Sequence, residues 1–358
     1  MLGLLLGVAL VGWPCVLGQN LSVCSRWDVY TVTITAPAGE VASVQPWLLA
    51  RTLVTAVVKP AQGPSTTVAA FYDGGNTFVV RVYCGQPGLH TITVQTASRQ
   101  LPSLHNRVYR FVVASSGRSR AVGKLRVHAQ DPHQFQYDNG DWFLHVGDTG
   151  YRFLVPSEPE WRAYIDQAVR VMGATKIRTW FAQGRHDIAA ALAPDKRSLN
   201  LGFWQEMDRR LVYVQTAFPW VQVQVIVYAE DGGAVSAAAA AAASPYAYVA
   251  EYAQARWSSF PIVQWCVAND VSASVAVDTV GRAIAAREPW GTLITSHQRR
   301  GTGYAFARAS WSRIVTLQTL DALLGREVAS YRAVQRYPVV LEEVSKMRVC
   351  VRREALID

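Results

Sequence analysis

The chain has 358 residues, and half of them are hydrophobic. That length and composition exclude a low-complexity or disordered chain and favour two globular domains. The formal net charge of +9 is consistent with an anionic partner, such as an acidic polysaccharide or a membrane surface. However, arginines spread along the whole chain without a basic run favour a compositional origin, and no zinc-finger or ribonucleoprotein motif indicates nucleic acid.

The first 18 residues carry no charged side chain and contain a short apolar stretch that ends in small residues. This pattern predicts a secretory signal peptide at 1–18, cleaved near Gly18. The mature protein is then expected to be secreted or extracellular, in the periplasm or at the cell surface, without a membrane association. The alternative is a retained membrane anchor, for which the stretch is a little short.

Four cysteines follow the predicted signal peptide. Cys24 and Cys84 both fall in the first predicted domain, so they are the expected disulfide pair if the protein is exported. Two free buried thiols are an equally good interpretation. No cysteine or histidine pair has zinc-site spacing, so the sequence predicts neither a metal nor a cofactor.

Residues 25–115 alternate polar and apolar side chains in short runs separated by turn residues. The clearest hairpin signal is the turn at 73–76 (DGGN), which is followed by the apolar run 78–83. About ninety residues of this pattern, without a helical period, predict an all-β sandwich. The polar, glycine-containing stretch 115–120 is expected to begin a linker.

From residue 131 to residue 358 strands and helices alternate, which predicts an α/β domain of the (β/α)8-barrel type. A capping box at Ser157 and Glu160 is expected to start the first helix, and the Ala-rich stretch 237–257 is predicted to form one helix. Seven strands are predicted, so the barrel apparently lacks its last strand. Their ranges are 142–146, 175–181, 221–228, 262–267, 291–297, 314–318 and 339–342.

Polar and aromatic residues stand where these strands end, and active sites of parallel barrels gather at that edge. Amides and carboxylates bind sugar hydroxyls, and aromatic rings stack on the apolar faces of sugars. No phosphate-binding glycine loop and no nucleophile elbow is present. The candidate site residues are Asp148, Trp180, Tyr228, Asn269, Asp270, His297, Gln318 and Glu343. Glu342 is expected to point away from Glu343, because neighbours on a strand face opposite sides.

Four segments resemble the apiosidase-like family of TIM-barrel glycoside hydrolases, which carry an N-terminal β-sandwich. Residues 71–75 (FYDGG) resemble its sandwich, and residues 143–149 (FLHVGDT), 263–270 (VQWCVAND) and 338–343 (PVVLEE) resemble its first, fourth and seventh barrel strands. The resemblance implies a retaining hydrolase without a cofactor, acting on a carbohydrate. It places Asp270 at the acid/base position, Glu343 at the nucleophile position and Asn269 at the contact to the sugar 2-hydroxyl.

One residue departs from this pattern, because Asp270 stands where the wider family has Glu. Its carboxylate is set back by one carbon–carbon bond, and misplacement of about 1 Å can cost on the order of a hundredfold in rate. This departure favours one alternative, a non-catalytic carbohydrate-binding protein on a hydrolase scaffold. A third hypothesis is a polysaccharide lyase that uses Tyr or His as its base.

Overall fold

A computed structural model gives the fold. It describes residues 21–44, 53–97, 99–180, 189–195, 198–228, 232–241, 244–319, 321–334 and 337–344. The predicted signal peptide at 1–18 therefore lies outside the described residues.

Residues 22–117 form two β-sheets that share one hydrophobic core. The strands are β1 (Ser22–Arg26), β2 (Val29–Thr35), β3 (Val54–Lys59), β4 (Thr66–Ala69), β5 (Phe71–Tyr72), β6 (Thr77–Tyr83), β7 (Gly88–Thr96) and β8 (Val108–Gly117), with a short helix, α1 (Ala38–Ala42), after β2. One sheet has the order β1-β8-β7-β3-β4 and the other β2-β6-β5. Valine and isoleucine side chains from both sheets fill the core between them.

Cys24 and Cys84 form a disulfide, so the expected pairing is confirmed. Cys24 belongs to β1 of the larger sheet, and Cys84 follows β6 of the smaller one. The disulfide therefore links the two sheets covalently at one end of their common core.

The stretch predicted as a linker carries structure. Strand β8 continues to Gly117, and a two-stranded hairpin follows, formed by β9 (Leu125–Val127) and β10 (Phe135–Tyr137). Phe143 packs edge-on against Phe135 and Tyr137 of this hairpin. The strand predicted at 142–146 is consequently displaced: Phe143 packs on the hairpin, and the strand, β11, is Gly147–Thr149.

Among the described residues seven parallel strands follow the hairpin, which is the number that the sequence predicts. Five form one sheet in chain order: β11, β12 (Lys176–Trp180), β13 (Gln222–Tyr228), β14 (Val263–Ala268) and β15 (Ile294–Thr295). The other two, β16 (Val315–Thr319) and β17 (Val339–Val344), pair with each other. A backbone hydrogen bond of 3.0 Å from the Arg313 amide to the Ile294 carbonyl joins the two groups. Among the described residues no strand pairing connects β17 to β11.

In the part of the chain that the structure describes, six longer helices cover these strands: α2 (Glu158–Asp166), α3 (Leu201–Ala217), α4 (Gly232–Ala240), α5 (Pro245–Trp257), α6 (Val275–Arg287) and α7 (Asp321–Val334). Two predicted details are wrong. Ser157 is the N-cap of α2, but its side chain makes no capping hydrogen bond. The Ala-rich stretch forms two helices, because Ser244 caps a new helix whose first residue is Pro245. None of the helices within the described ranges is long and apolar enough to span a membrane.

Asp208 of α3 lies at the centre of a buried contact between the N-terminal sheets and the helices. Its carboxylate accepts hydrogen bonds from Arg81 of β6, from Arg256 and from the Trp257 indole of α5. Arg256 also donates to Asp73 in the turn before β6, at 2.8 Å. The two parts of the chain are thus joined through shared buried charges.

Candidate active site

The carboxyl ends of the parallel strands bring most of the predicted site residues to one edge of the fold. Asp148 lies within β11 and Trp180 ends β12, while Asn269 and Asp270 follow β14 directly. His297 comes two residues after β15. On the neighbouring pair of strands, the backbone of Gln318 is in register with that of Glu343.

Asp270 and His297 are in direct contact. Their Oδ1 and Nδ1 atoms lie 3.2 Å apart, with the His297 side chain fully buried and the Asp270 side chain 31% exposed. Asp270 has a φ of 53°, a left-handed conformation in which Asp is one of the few tolerated residues. Burial alone would raise the pKa of Asp270, but His297, Arg178 and Arg299 outweigh it and lower this pKa below its ordinary value.

Several buried polar atoms at this edge have no hydrogen-bond partner among the described residues. Both amide atoms of Asn269 are unpaired, although the residue is only 1% exposed. The other atoms without a hydrogen-bond partner include both ring nitrogens of His297, Oδ1 of Asp270, Oε1 of Gln318 and the indole Nε1 of Trp180. Each unsatisfied group costs about 1–3 kcal/mol, so their concentration at one edge is typical of a site that a polar ligand or ordered water completes.

Trp180 is half-buried and stacks on Tyr151, with ring centroids 3.9 Å apart and an interplanar angle of 23°. The two rings form an aromatic surface at the end of β12, at the same edge of the sheet as Asn269 and His297. An aromatic surface and hydrogen-bonding groups at one edge match the amphipathic character of a sugar ring.

Two other predicted site residues form hydrogen bonds with neighbouring residues of the fold. Tyr228 is buried, and its hydroxyl donates to the Tyr246 carbonyl at 3.0 Å. The Oδ2 atom of Asp148 accepts a 2.6 Å hydrogen bond from the Tyr164 hydroxyl. Asp148 also lines a narrow cleft together with Lys176.

A buried charge cluster, formed by Lys176, Arg178 and Glu342, was missed by the sequence analysis. The Glu342 carboxylate accepts hydrogen bonds from Lys176 and, at 3.0 Å, from Gln224, and it lies 3.5 Å from Arg178. Burial alone would raise the pKa of Glu342. The two cations and His297 outweigh this effect and hold that pKa far below its ordinary value. The available signal was the two-residue spacing of Lys176 and Arg178 within a buried strand, which places both side chains on one face.

Glu342 therefore points into the interior of the strand assembly. The register between β16 and β17 shifts after Leu317, so that Gln318 pairs with Glu343 and Glu342 is the extra residue of a bulge. The side chain of Glu343 lies outside the described part of the structure, and its role as the nucleophile stays a prediction.

Comparison with known proteins identifies similar folds and leaves the activity open. No protein-family model and no curated protein matches the sequence. The fold is similar to that of a candidate glycoside hydrolase from Bacteroides vulgatus, with a TM-score of 0.73 at 18% identity over 89% of this chain. This chain spans 64% of the length of that protein. A glycoside hydrolase family 5 protein from the same organism gives a TM-score of 0.48 at 16% identity, over 62% of this chain and 53% of that one.

Proposed function

We propose that this protein is a secreted glycoside hydrolase that acts on a poly- or oligosaccharide, as its resemblance to the apiosidase-like family implies. The observation that carries the proposal is the set of unpaired polar atoms of Asn269, His297 and Gln318 at the strand ends, where Trp180 also lies. A ligand with many hydroxyl groups and an apolar face suits this combination. The similarity of the fold to that of a candidate glycoside hydrolase supports the same conclusion.

The proposed reaction is retaining and uses two carboxyl groups. Glu343 attacks the anomeric carbon, and the acid/base function belongs to the position of Asp270 at the end of β14. Asn269, the neighbour of Asp270, contacts the 2-hydroxyl of the sugar. Arg299 supports an acidic polysaccharide as the substrate class, because its Nε donates to the Asp270 carbonyl at 3.1 Å and fixes a cation beside the site.

A non-catalytic carbohydrate-binding protein is the second candidate. It is favoured by the lowered pKa of Asp270, because an ionised carboxylate has no proton to give to a leaving group. In this case the site would bind the same saccharides without cleaving them.

Hydrolysis assays separate the two functions. The wild-type protein is incubated with a panel of aryl glycosides and of neutral and acidic polysaccharides, and release of phenol or reducing ends is measured. We expect cleavage with retention of anomeric configuration by NMR, and a loss of at least about a hundredfold in Glu343→Gln. The matched control is Glu327→Gln, in the half-buried glutamate of α7, which should match the wild type. Saccharide binding without any cleavage by the wild type would favour the second candidate.

A further inference from the structure

The contact between Asp270 and His297 indicates a specific path for the catalytic proton. We infer that His297 is a catalytic residue whose Nε2 atom transfers the proton to the leaving oxygen, while Asp270 is the positioning residue that holds the imidazole. This inference rests on the proposed hydrolase function and assigns the acid of that reaction to a different side chain.

The backbone at Asp270 suits a positioning role. Its φ of 53° favours Asp over Glu, and the short side chain meets the imidazole Nδ1 at 3.2 Å. The Asp that departs from the family pattern therefore places its carboxylate within contact distance of the imidazole.

Asp270 on its own is poorly suited to be the acid. The same contact lowers its pKa, so it is ionised at neutral pH and carries no proton to donate. An ionised carboxylate beside Nδ1 favours a proton on that nitrogen, which leaves Nε2 as the atom that can exchange a proton with a substrate. A carboxylate that orients a histidine in this way is a general arrangement in catalytic sites.

The Nε2 atom of His297 is buried and makes no hydrogen bond with a described residue, and Nδ1 lies in contact with Asp270 Oδ1 without a hydrogen bond of good geometry. The charged and titratable groups near His297 are Asp270 in contact with the ring, Cys266 beside its backbone and Glu342 from β17, while Arg178 and Arg299 act on Asp270. Glu342 is engaged by Lys176 and Gln224, so among the described carboxylates Asp270 is the one in contact with the ring.

The proposed step is balanced without a cofactor. The Nε2–H of the imidazolium protonates the glycosidic oxygen, the bond from that oxygen to the anomeric carbon breaks, and the Glu343 carboxylate forms an ester with that carbon. In the second step the neutral imidazole takes a proton from water. The water oxygen then forms a bond to the anomeric carbon, and the Glu343 carboxylate leaves.

The first test does not depend on activity. Nitrogen-15 NMR of the full-length protein reports which nitrogen of His297 carries a proton, and carbon-13 NMR reports ionisation of Asp270. We expect Nδ1 to be protonated wherever Asp270 is ionised. We also expect Asp270→Asn, which removes the negative charge, to alter the His297 signals while those of the half-buried His128, which follows β9, stay unchanged. A proton found on Nε2 alone, with Nδ1 bare toward Asp270, would overturn the inference.

The second test separates proton donation from substrate binding. His297→Gln keeps a hydrogen-bond donor near the Nε2 position but cannot act as an acid. We therefore expect kcat/KM to fall at least about a hundredfold for alkyl glycosides with poor leaving groups, and less than about tenfold for 2,4-dinitrophenyl glycosides. Equal losses for both substrate types, or full activity of His297→Gln on alkyl glycosides, would mean that His297 only binds substrate. If the wild type cleaves no glycoside at all, the proposed function itself fails, whatever the NMR result.

Discussion

The buried amine of Lys124 provides a test of how a titratable group contributes to the stability of the fold. It is 1% exposed, and its Nζ donates to the Phe260 carbonyl at 3.0 Å and to the Thr292 hydroxyl at 2.8 Å. A neutral amine has two N–H groups for these two acceptors, whereas an ammonium has a third that would need a further partner. Burial lowers the pKa of Lys124 from 10.5 to about 7, although Glu288 and Asp138 oppose the shift.

The lowered pKa makes stability depend on pH in a defined window. Between about pH 7 and pH 10.5 the unfolded chain binds the Lys124 proton and the folded chain does not, so stability rises with pH there. The full linkage is on the order of 5 kcal/mol, and about 3 kcal/mol of it falls between pH 6 and pH 9. Stability is lowest below the folded pKa, where the buried amine must be charged.

The perturbation is Lys124→Met, which keeps the length of the side chain and removes its titration. Urea unfolding at pH 6, 7, 8 and 9 gives the free energy of unfolding of each protein, and groups common to both cancel in the difference. We expect the free energy of unfolding of the wild type, minus that of the variant, to rise by about 3 kcal/mol from pH 6 to pH 9. Lys59→Met, at an exposed lysine of β3, should leave the pH profile of the wild type unchanged. Parallel curves for wild type and Lys124→Met would refute the reasoning.

Four further results are expected. Replacing Cys24 and Cys84 by Ala should lower the free energy of unfolding by about 4 kcal/mol, because the disulfide closes a segment with a sequence separation of 60; an unchanged urea midpoint would contradict this. Glu342→Leu should cost about 3–5 kcal/mol by leaving buried cations unpaired, and adding Lys176→Met should recover part of the loss; equal stability of the single and double variants in urea would argue against the pairing. Because the pKa of Glu342 is lowered, its contribution should be present above its ordinary pKa and lost as pH falls below about 4. Trp180→Ala should raise KM about tenfold for a confirmed substrate with little change in kcat; an unchanged KM would remove Trp180 from the binding surface.

The sequence predicts the strands of the second half well where a buried strand has a continuous apolar run. Residues 221–228 and 262–267 are examples, and both coincide with observed strands to within one residue. Local pattern fails where tertiary packing decides, as at Phe143, which packs on the hairpin instead of continuing a strand. It also fails at Pro245, since a helix-starting proline interrupts a run of favourable alanines.

In the site, too, features that follow from local sequence could be predicted, and features that depend on distant residues could not. Positions at strand ends follow from the alternation of elements, so Asn269, Asp270 and His297 could be predicted. The orientation of Glu342 could not, because it depends on a bulge in β17 and on cations that lie more than 160 residues away in the chain. Register irregularities of this kind leave no periodic signal in a single sequence.

The shared charges at Asp208 limit how this protein can be divided or recombined. A truncated chain that begins after the N-terminal sheets would lose Arg81 and Asp73, leaving Arg256 with half of its carboxylate partners. The sheets by themselves would expose Arg81 and Asp73 without counter-charges. The two halves therefore depend on each other for the pairing of their buried charges. A fusion protein that exchanges either half must also carry the matching residues of this contact.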